Sequence, residues 1–193
     1  MDISMDRIKE LRDLTGVSVM QCKKALEEAE GDLEKAKVLL KKSSAASASK
    51  KADRELGAGA IGSYVHDGTI GAMVMLSSET DFVAKNPEFA ELARSIAMQV
   101  AATNPTYTSA EEINDEAKKA AISVFEEEIK GKPENMREAI LDGKLKSYFR
   151  DQVLLDQPFI KDDSKTIRDL LNEATQKFGE RVEVSRFTRI ALR

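Results

Sequence analysis

The sequence has one cysteine, Cys22, one histidine, His66, and no tryptophan among its 193 residues. A lone cysteine excludes an internal disulfide and a cysteine-based zinc site, and a lone histidine excludes a multi-histidine metal site. No apolar run reaches the roughly 18 residues that a membrane-spanning helix needs. The first ten residues, MDISMDRIKE, lack the apolar region of a signal peptide. We therefore expect a cytoplasmic protein.

Positive charge is not in excess, because 30 Lys and Arg residues face 34 Asp and Glu residues, a formal net charge of −4. A protein that coats nucleic acid needs surplus positive charge, so this balance argues against that class. Residues 41–54 differ, since this Ser- and Ala-rich segment has five basic side chains and one acidic side chain. They predict a partly helical linker between an N-terminal module, residues 1–40, and a core domain, residues 55–193.

Three short helices fit the apolar spacing of the N-terminal module. Gly16 and Gly31 are placed to end the first two helices, and Ser18 begins the second with a capping box. Cys22 falls on the apolar stripe, with Val19, and is predicted to be a small buried side chain rather than a nucleophile. The module is therefore predicted to be a compact three-helix bundle of modest stability.

Met20 lies outside that stripe, about 100° from Val19 and on the side of Lys23 and Lys24. A methionine in such a position can contact a partner, because its flexible side chain adapts to irregular apolar surfaces. It can also be a scattered exposed apolar residue, which is common in monomeric proteins. The spacing alone favours the second interpretation.

Residues 60–76 predict a β-hairpin with a two-residue turn at Asp67 and Gly68. That register divides the apolar residues between two faces. One predicted face contains Ile61, Val65, Ile70, Val74 and Leu76, and the other contains Tyr64, His66, Met73 and Met75. The last segment predicts a further antiparallel strand with Val182, Val184, Thr188, Ile190 and Leu192 on one side.

Helices are predicted between these strands. Their expected starts are Asn86 with Pro87, Ser109 in a capping box, Pro133, a segment around 144–155, and Ser164. Helices grouped against a small antiparallel sheet make an α+β fold.

Residues 78–85, SETDFVAK, connect the second strand to the helix at Pro87, and we call this segment the corner. Thr80 is placed to cap a single helical turn, and Asp81 suits the positive end of the helix dipole. Phe82 and Val83 are adjacent, so they cannot both face one core and one of them should point outward. An exposed Phe82 would suit insertion into a partner, whereas a buried Phe82 would only pack beneath the corner.

Four segments of the chain resemble the elongation factor Ts family, the nucleotide-exchange factors for elongation factor Tu. They are LRDLTGVSVMQCKKALEEAEGDLEKA at 11–36, SYVHDGTIG at 63–71, TDFVAKN at 80–86 and LLDQPFIKDDSKTIRDLL at 154–171. They occur in the family's order over nearly the whole chain. The chain is thus similar to short members of the family, which have one core lobe.

The resemblance implies a ubiquitin-associated-like N-terminal bundle that docks on the partner's nucleotide domain. Partner contact is implied for Thr80, Asp81, Phe82 and Val83 at the corner, for Arg12, Met20, Lys23 and Lys24 in the N-terminal module, and for His66 on the hairpin. Phe82 would enter an apolar crevice beside the partner's Mg²⁺ and GDP and loosen the phosphates. The chain itself would need no cofactor, since Mg²⁺ and the nucleotides belong to the partner.

Because the hairpin and the corner share one lobe, the resemblance also implies a homodimer that presents two copies of each. The expected shared surface is the face with Met73 and Met75, or the C-terminal strand. No nucleophile pair and no GxxxxGK[ST] loop is present, which is consistent with a factor that is not an enzyme. Two alternatives stay open, an adaptor for ubiquitin-like partners and an RNA-associated protein that uses the basic linker.

Overall fold

The computed structural model describes residues 3–131 and 133–192. Its helices are α1 Met5–Thr15, α2 Val19–Glu28, α3 Leu33–Lys50, α4 Asp81–Ala84, α5 Pro87–Thr103, α6 Asp115–Ile129, α7 Glu134–Arg150 and α8 Ile167–Phe178, with 3₁₀ turns at Ala110–Glu112 and Leu154–Asp156. Its strands are β1 Ala58–His66, β2 Ile70–Ser78, β3 Pro158–Phe159, β4 Asp162–Thr166 and β5 Val182–Ala191. An antiparallel sheet of order β1-β2-β5 carries helix α5 on one face, so the predicted α+β class is confirmed.

Helices α1, α2 and α3 enclose a small apolar core of their own. Gly16 adopts the left-handed backbone that ends α1, and Ser18 caps α2, both as predicted. Cys22 is buried, and desolvation raises the pKa of its thiol, which agrees with a structural role. Val19, in contrast, is exposed rather than part of the buried stripe.

Helix α3 does not stop at the end of the predicted three-helix bundle, because it continues through Lys50, well into the segment predicted to be a linker. This extension packs on α8 of the core. There the Ser44 hydroxyl is buried and donates to Gln176, and Lys41 pairs with Asp169 at 2.8 Å. The apolar cores of the N-terminal module and of the core domain are separate clusters, and independent folding of the two stays a prediction.

The hairpin register differs by one residue from the predicted one. Asp67 and Gly68 have the positive φ angles of the expected turn, but Thr69 also lies outside the strands and His66 faces Ile70. The Thr69 carbonyl accepts the N–H of Leu192 at 2.8 Å, which ties this third turn residue to the end of β5. Because a shift of one residue changes every facing pair, the predicted faces were wrong.

Ile61 and Val65 share their face with Met73 and Met75, and that face is turned away from helix α5. The opposite face is the buried one, with Ala72, Val74 and Leu76 in the main core.

A β-bulge explains why the last strand departs from its predicted alternation. Leu76 faces Val184 but Met75 faces Arg186, so Ser185 is an extra residue in β5. A bulge reverses the side chains that follow it. Val182 and Val184 are therefore buried, whereas Ile190 lies exposed on the face of Met73 and Met75.

The helix starts at Asn86 with Pro87 and at Pro133 and the stop at Gly179 are confirmed, but the other three predicted starts were wrong. Ser109 precedes only a 3₁₀ turn, and α6 starts later, because the Asn114 side chain accepts the Ala117 N–H there. The helix predicted around 144–155 has no start of its own, because α7 continues from Glu134 through Gly143 to Arg150. A glycine inside a helix costs only about 1 kcal/mol, so Gly143 does not end it. Ser164 lies in β4, and α8 begins after Thr166 with a reciprocal capping box to Asp169.

Candidate functional site

The corner presents one bulky apolar side chain to solvent. Helix α4 is a single turn between the end of β2 and the start of α5. Phe82 is 83% exposed, whereas its neighbour Val83 is 4% exposed and belongs to the main core. Of the two orientations left open by the sequence, the structure therefore has Phe82 outward, with Val83 anchoring the turn from below.

Asp81 lies beside Phe82 and is exposed as well. Its carboxylate pairs with Lys85, one helical turn further on, at 2.6 Å. The hydrogen bond from Lys85 and its positive charge lower the pKa of Asp81, and the same contact raises the pKa of Lys85. The corner therefore keeps an ionised carboxylate next to an apolar ring at neutral pH.

Thr80, at the base of the turn, has every polar atom engaged. Its N–H and its hydroxyl donate to the two carboxylate oxygens of Glu180, at 3.0 and 2.6 Å. Its carbonyl accepts the Ser78 hydroxyl at 3.0 Å and the Ala84 N–H at 3.3 Å. Thr80 occupies the predicted N-cap position, but its hydroxyl makes no capping bond because Glu180 accepts it.

A second set of contacts holds the residue before Thr80. The Glu79 carboxylate accepts the backbone N–H of Arg181 at 2.6 Å and the guanidinium of Arg54 at 3.2 Å. These hydrogen bonds, that of Arg181 foremost, lower the pKa of Glu79 although partial burial opposes the shift. The Arg181 side chain in turn donates to the Arg54 carbonyl at 2.7 Å. The corner is thus tied both to the segment before β1 and to the turn between α8 and β5.

The predicted docking residues of the N-terminal module lie on its surface. Met20 is 81% exposed, and Arg12, Lys23 and Lys24 are exposed too. Lys23 faces Glu27 at 3.8 Å, as expected for two charges one turn apart on a solvated helix. Met20 is thus an exposed apolar side chain one helical turn before Lys23 and Lys24.

His66 ends strand β1 beside the turn and is exposed. Its Nδ1 lies 3.0 Å from the Tyr64 hydroxyl, and its Nε2 lies 3.5 Å from a carboxylate oxygen of Asp67. The Tyr64 hydroxyl is thus within hydrogen-bond distance of the ring, and the Asp67 carboxylate lies on its other side. It does not share the face of Met73 that the sequence predicted, because the register differs.

Lys177 of α8 connects the N-terminal module to the start of α5. A Cβ added at Gly16, in the turn before α2, would lie 3.3 Å from the Lys177 ammonium, so the two segments are adjacent. The same ammonium pairs with Glu88, in the first turn of α5 just after the corner. The turn before Met20 and the helix after the corner therefore meet at one lysine.

Sequence reasoning missed Glu180, Glu79, Arg54 and Arg181. Glu180 and Thr80 are 100 residues apart, and no spacing or motif links two positions that meet only in the folded chain. Only the left-handed turn at Gly179, predicted as the end of α8, indicated that the next residues leave the helix. The contacts that support the corner are consequently visible only in three dimensions.

Other kinds of site find little support in residues 3–131 and 133–192. No group of three or more His, Cys, Asp or Glu there could hold a metal ion, and no helix is long and apolar enough to cross a membrane. A cavity of about 640 Å³ lies beside α6 and α7 and is lined by residues that include Ile113, Ile122 and Phe149. None of the predicted site residues lines this cavity.

Comparison with known proteins gives matches along nearly the whole chain. The family model described as Elongation factor TS matches residues 47–193. Elongation factor Ts of Thermotoga neapolitana is 48% identical over 190 residues, which cover 98% of this chain and 96% of that protein. Elongation factor Ts of Oleidesulfovibrio alaskensis is 47% identical over 193 residues, with 98% of both chains covered. The family model includes the corner, and the relatives match the N-terminal module as well.

Proposed function

This chain belongs to the elongation factor Ts family, whose role in translation is guanine-nucleotide exchange on elongation factor Tu, and we propose that the corner with Phe82 carries out that exchange. The observation behind this proposal is the exposure of a phenylalanine on a short, firmly anchored turn. Large apolar side chains that stand alone on a rigid base suit insertion into a partner's crevice, where their burial is worth about 1.5–3 kcal/mol.

Asp81 adds a charge to that apolar contact. In the proposed complex, Phe82 enters a crevice of elongation factor Tu next to its GDP site, and the Asp81 carboxylate meets the region of the Mg²⁺ and the phosphates. A negative charge placed there weakens the attraction between the metal ion and the nucleotide. Thr80 and Val83 act indirectly, since one holds the turn by hydrogen bonds and the other by burial.

Exchange of this kind needs no covalent chemistry on the factor. The factor binds nucleotide-free elongation factor Tu more tightly than the GDP-bound form. It must therefore weaken the binding of GDP by the same ratio by which GDP weakens the binding of the factor. Such couplings are typically about 1–3 kcal/mol. We therefore assign no cofactor and no enzymatic reaction to this chain. We place its action in the cytoplasm, without direct contact to nucleic acid or membrane.

Docking is assigned to the N-terminal module. Met20 supplies an apolar contact, and Arg12, Lys23 and Lys24 supply charge around it. A module that only docks should affect affinity and leave the rate at saturation unchanged. Met20→Asp is therefore expected to raise the concentration of factor needed for half-maximal GDP release, without lowering the maximal rate. A lower maximal rate at an unchanged half-maximal concentration would contradict the docking role.

The active form is proposed to be a homodimer that shares the outer sheet face. This face presents the exposed apolar side chains of Ile61, Val65, Met73, Met75 and Ile190, with the polar Ser63, Arg186 and Thr188 between them. Apolar side chains grouped on one exposed face and surrounded by polar residues suit a protein–protein contact. Two copies packed face to face would cover the patch and place two corners and two His66 hairpins in one assembly, where His66 of one copy could contact the partner held by the other corner.

The direct test is the release of a fluorescent GDP from bacterial elongation factor Tu, followed after addition of excess unlabelled GDP. The chain should accelerate release in a concentration-dependent manner, and the acceleration should saturate. Release at the spontaneous rate, at any concentration of a folded chain, would overturn the proposal.

A further inference from the structure

Helix α4 is too short to fix its own position. It has four residues, and forming a single helical turn is unfavourable in an isolated chain. The direction in which Phe82 points must therefore be set by contacts between the corner and the rest of the core. Thr80, the residue directly before the turn, is held by Glu180 across 100 residues of sequence, beside the contact between Glu79 and Arg181.

Glu180 is well placed for that task. It follows Gly179, whose left-handed backbone ends α8 and turns the chain toward β5. From there both of its carboxylate oxygens accept hydrogen bonds from Thr80, one from the backbone and one from the side chain. A two-point contact fixes direction as well as distance, and bonds to an ionised acceptor are stronger than neutral ones.

We propose that Glu180 is a positioning residue for nucleotide exchange, which holds Thr80 and thereby sets the direction of Phe82. This rests on the proposed function of the corner. The residue acts through Thr80, two positions before Phe82. A ring pushed against elongation factor Tu would otherwise tilt the short turn, and part of the insertion energy would be lost in that movement.

The loss of Glu180 should leave the corner folded. Glu79 stays bound to Arg54 and to the Arg181 backbone, and Val83 stays buried in the core. Glu180 itself is only half-buried, and glutamine has nearly the same size, so Glu180→Gln leaves no cavity in the core. Its variants therefore change the precision of the corner more than the stability of the protein.

The experiment measures the maximal rate of fluorescent-GDP release at saturating factor. Glu180→Gln and Thr80→Val each remove part of the contact and should lower that rate roughly five- to tenfold. Glu180→Asp keeps the charge but is too short to make both bonds, so it should be impaired as well. Thr80→Ser keeps both donors and should retain the rate. Glu127→Gln removes an exposed ion pair between α6 and Lys130, the residue that follows this helix, and serves as the matched control.

The double variants decide between positioning and general destabilisation. Glu180→Gln combined with Thr80→Val should be slower by less than the product of the two single effects, because both weaken the same contact. In the Phe82→Ala background, Glu180→Gln should have no further effect, since there is no ring left to position. If Glu180→Gln lowered the rate further in the Phe82→Ala background, the positioning role of Glu180 would be refuted. A normal rate for Glu180→Gln together with a slow rate for Phe82→Ala would refute it as well. Either result would leave the proposed function of the corner intact. A normal rate for Phe82→Ala would overturn the corner function itself, and the positioning role with it.

Discussion

Replacing Phe82 with alanine should lower nucleotide exchange strongly and protein stability only slightly. The side chain is 83% exposed, so the fold buries about one sixth of it. For a phenylalanine surface of about 200 Å² this is about 35 Å², worth roughly 0.9 kcal/mol at about 25 cal/mol per Å². In a domain of this size such a loss lowers the melting temperature by about 2–4 °C.

The effect on exchange should be larger, because the ring is expected to be fully buried in the complex. Truncation of an apolar anchor at an interface typically costs about 2 kcal/mol or more. Since about 1.4 kcal/mol corresponds to a factor of ten, the acceleration of GDP release should fall by about 25- to 30-fold. Stability and exchange thus respond to the same substitution by different amounts.

The assay pairs thermal unfolding with fluorescent-GDP release from elongation factor Tu. Ile160→Ala is a suitable control, because Ile160 is an exposed apolar residue in the turn between β3 and β4, away from the proposed surfaces. The control should leave exchange unchanged. Normal exchange in a well-folded Phe82→Ala variant would refute the insertion of the ring. A fall in stability of about 3–5 kcal/mol would instead indicate that Phe82 is a core residue.

Three further predictions concern packing, assembly and pH. Gly62→Ala would place a Cβ 2.1 Å from the backbone of helix α5 and should destabilise the fold by about 1–3 kcal/mol or more. A Cβ at Gly71 would meet only the Val65 side chain, at 4.0 Å, which is an ordinary van der Waals contact, so Gly71→Ala is the control; the melting temperatures of both variants test this. Met73→Glu, on the outer sheet face, should shift sedimentation toward the monomer and lower exchange in parallel; a fully active monomer at every concentration of the unsubstituted chain would argue against the dimer. Two effects act on the pKa of Asp169. Burial raises it, but the hydrogen bonds from Lys41 and Thr166 together lower it by more, so the pKa lies below its ordinary value of 3.8. The stabilisation from this carboxylate is therefore present above pH 3.8 and lost as the pH falls through the lowered value, and acid unfolding of Asp169→Asn should show a smaller pH dependence there.

Local signals predicted those parts of the fold that depend on neighbouring residues. Ser18 and Asn86 begin helices because their side-chain oxygens accept backbone N–H groups two or three residues further on. Gly179 ends α8 because it tolerates a positive φ angle. The corner belongs to this group too, since the adjacent Phe82 and Val83 had to point in opposite directions.

The errors came from contacts between distant segments. The hairpin has an extra turn residue because Thr69 is bound by the end of β5, and the sequence of the hairpin contains no sign of that third strand. The bulge at Ser185 is equally non-local, since its hydroxyl lies 2.7 Å from that of Ser77, more than a hundred residues away. The alternation of apolar residues along each strand therefore could not identify the outer sheet face, because it does not indicate how the strands pair.

The same division applies to the corner, where the sequence required one of Phe82 and Val83 to be exposed but did not indicate which contacts support the turn. A side chain that acts on a partner can be recognised by its type and position. Its contribution to the binding energy, however, depends on how rigidly the turn that carries it is held. Thr80 receives that support from Glu180, and Glu79 from Arg54 and Arg181, all of them at least partly accessible to solvent. Accessible hydrogen bonds add little to global stability but still fix geometry. Exchange activity should therefore be more sensitive than the melting temperature to changes at the base of the corner, and variants there should separate the two quantities.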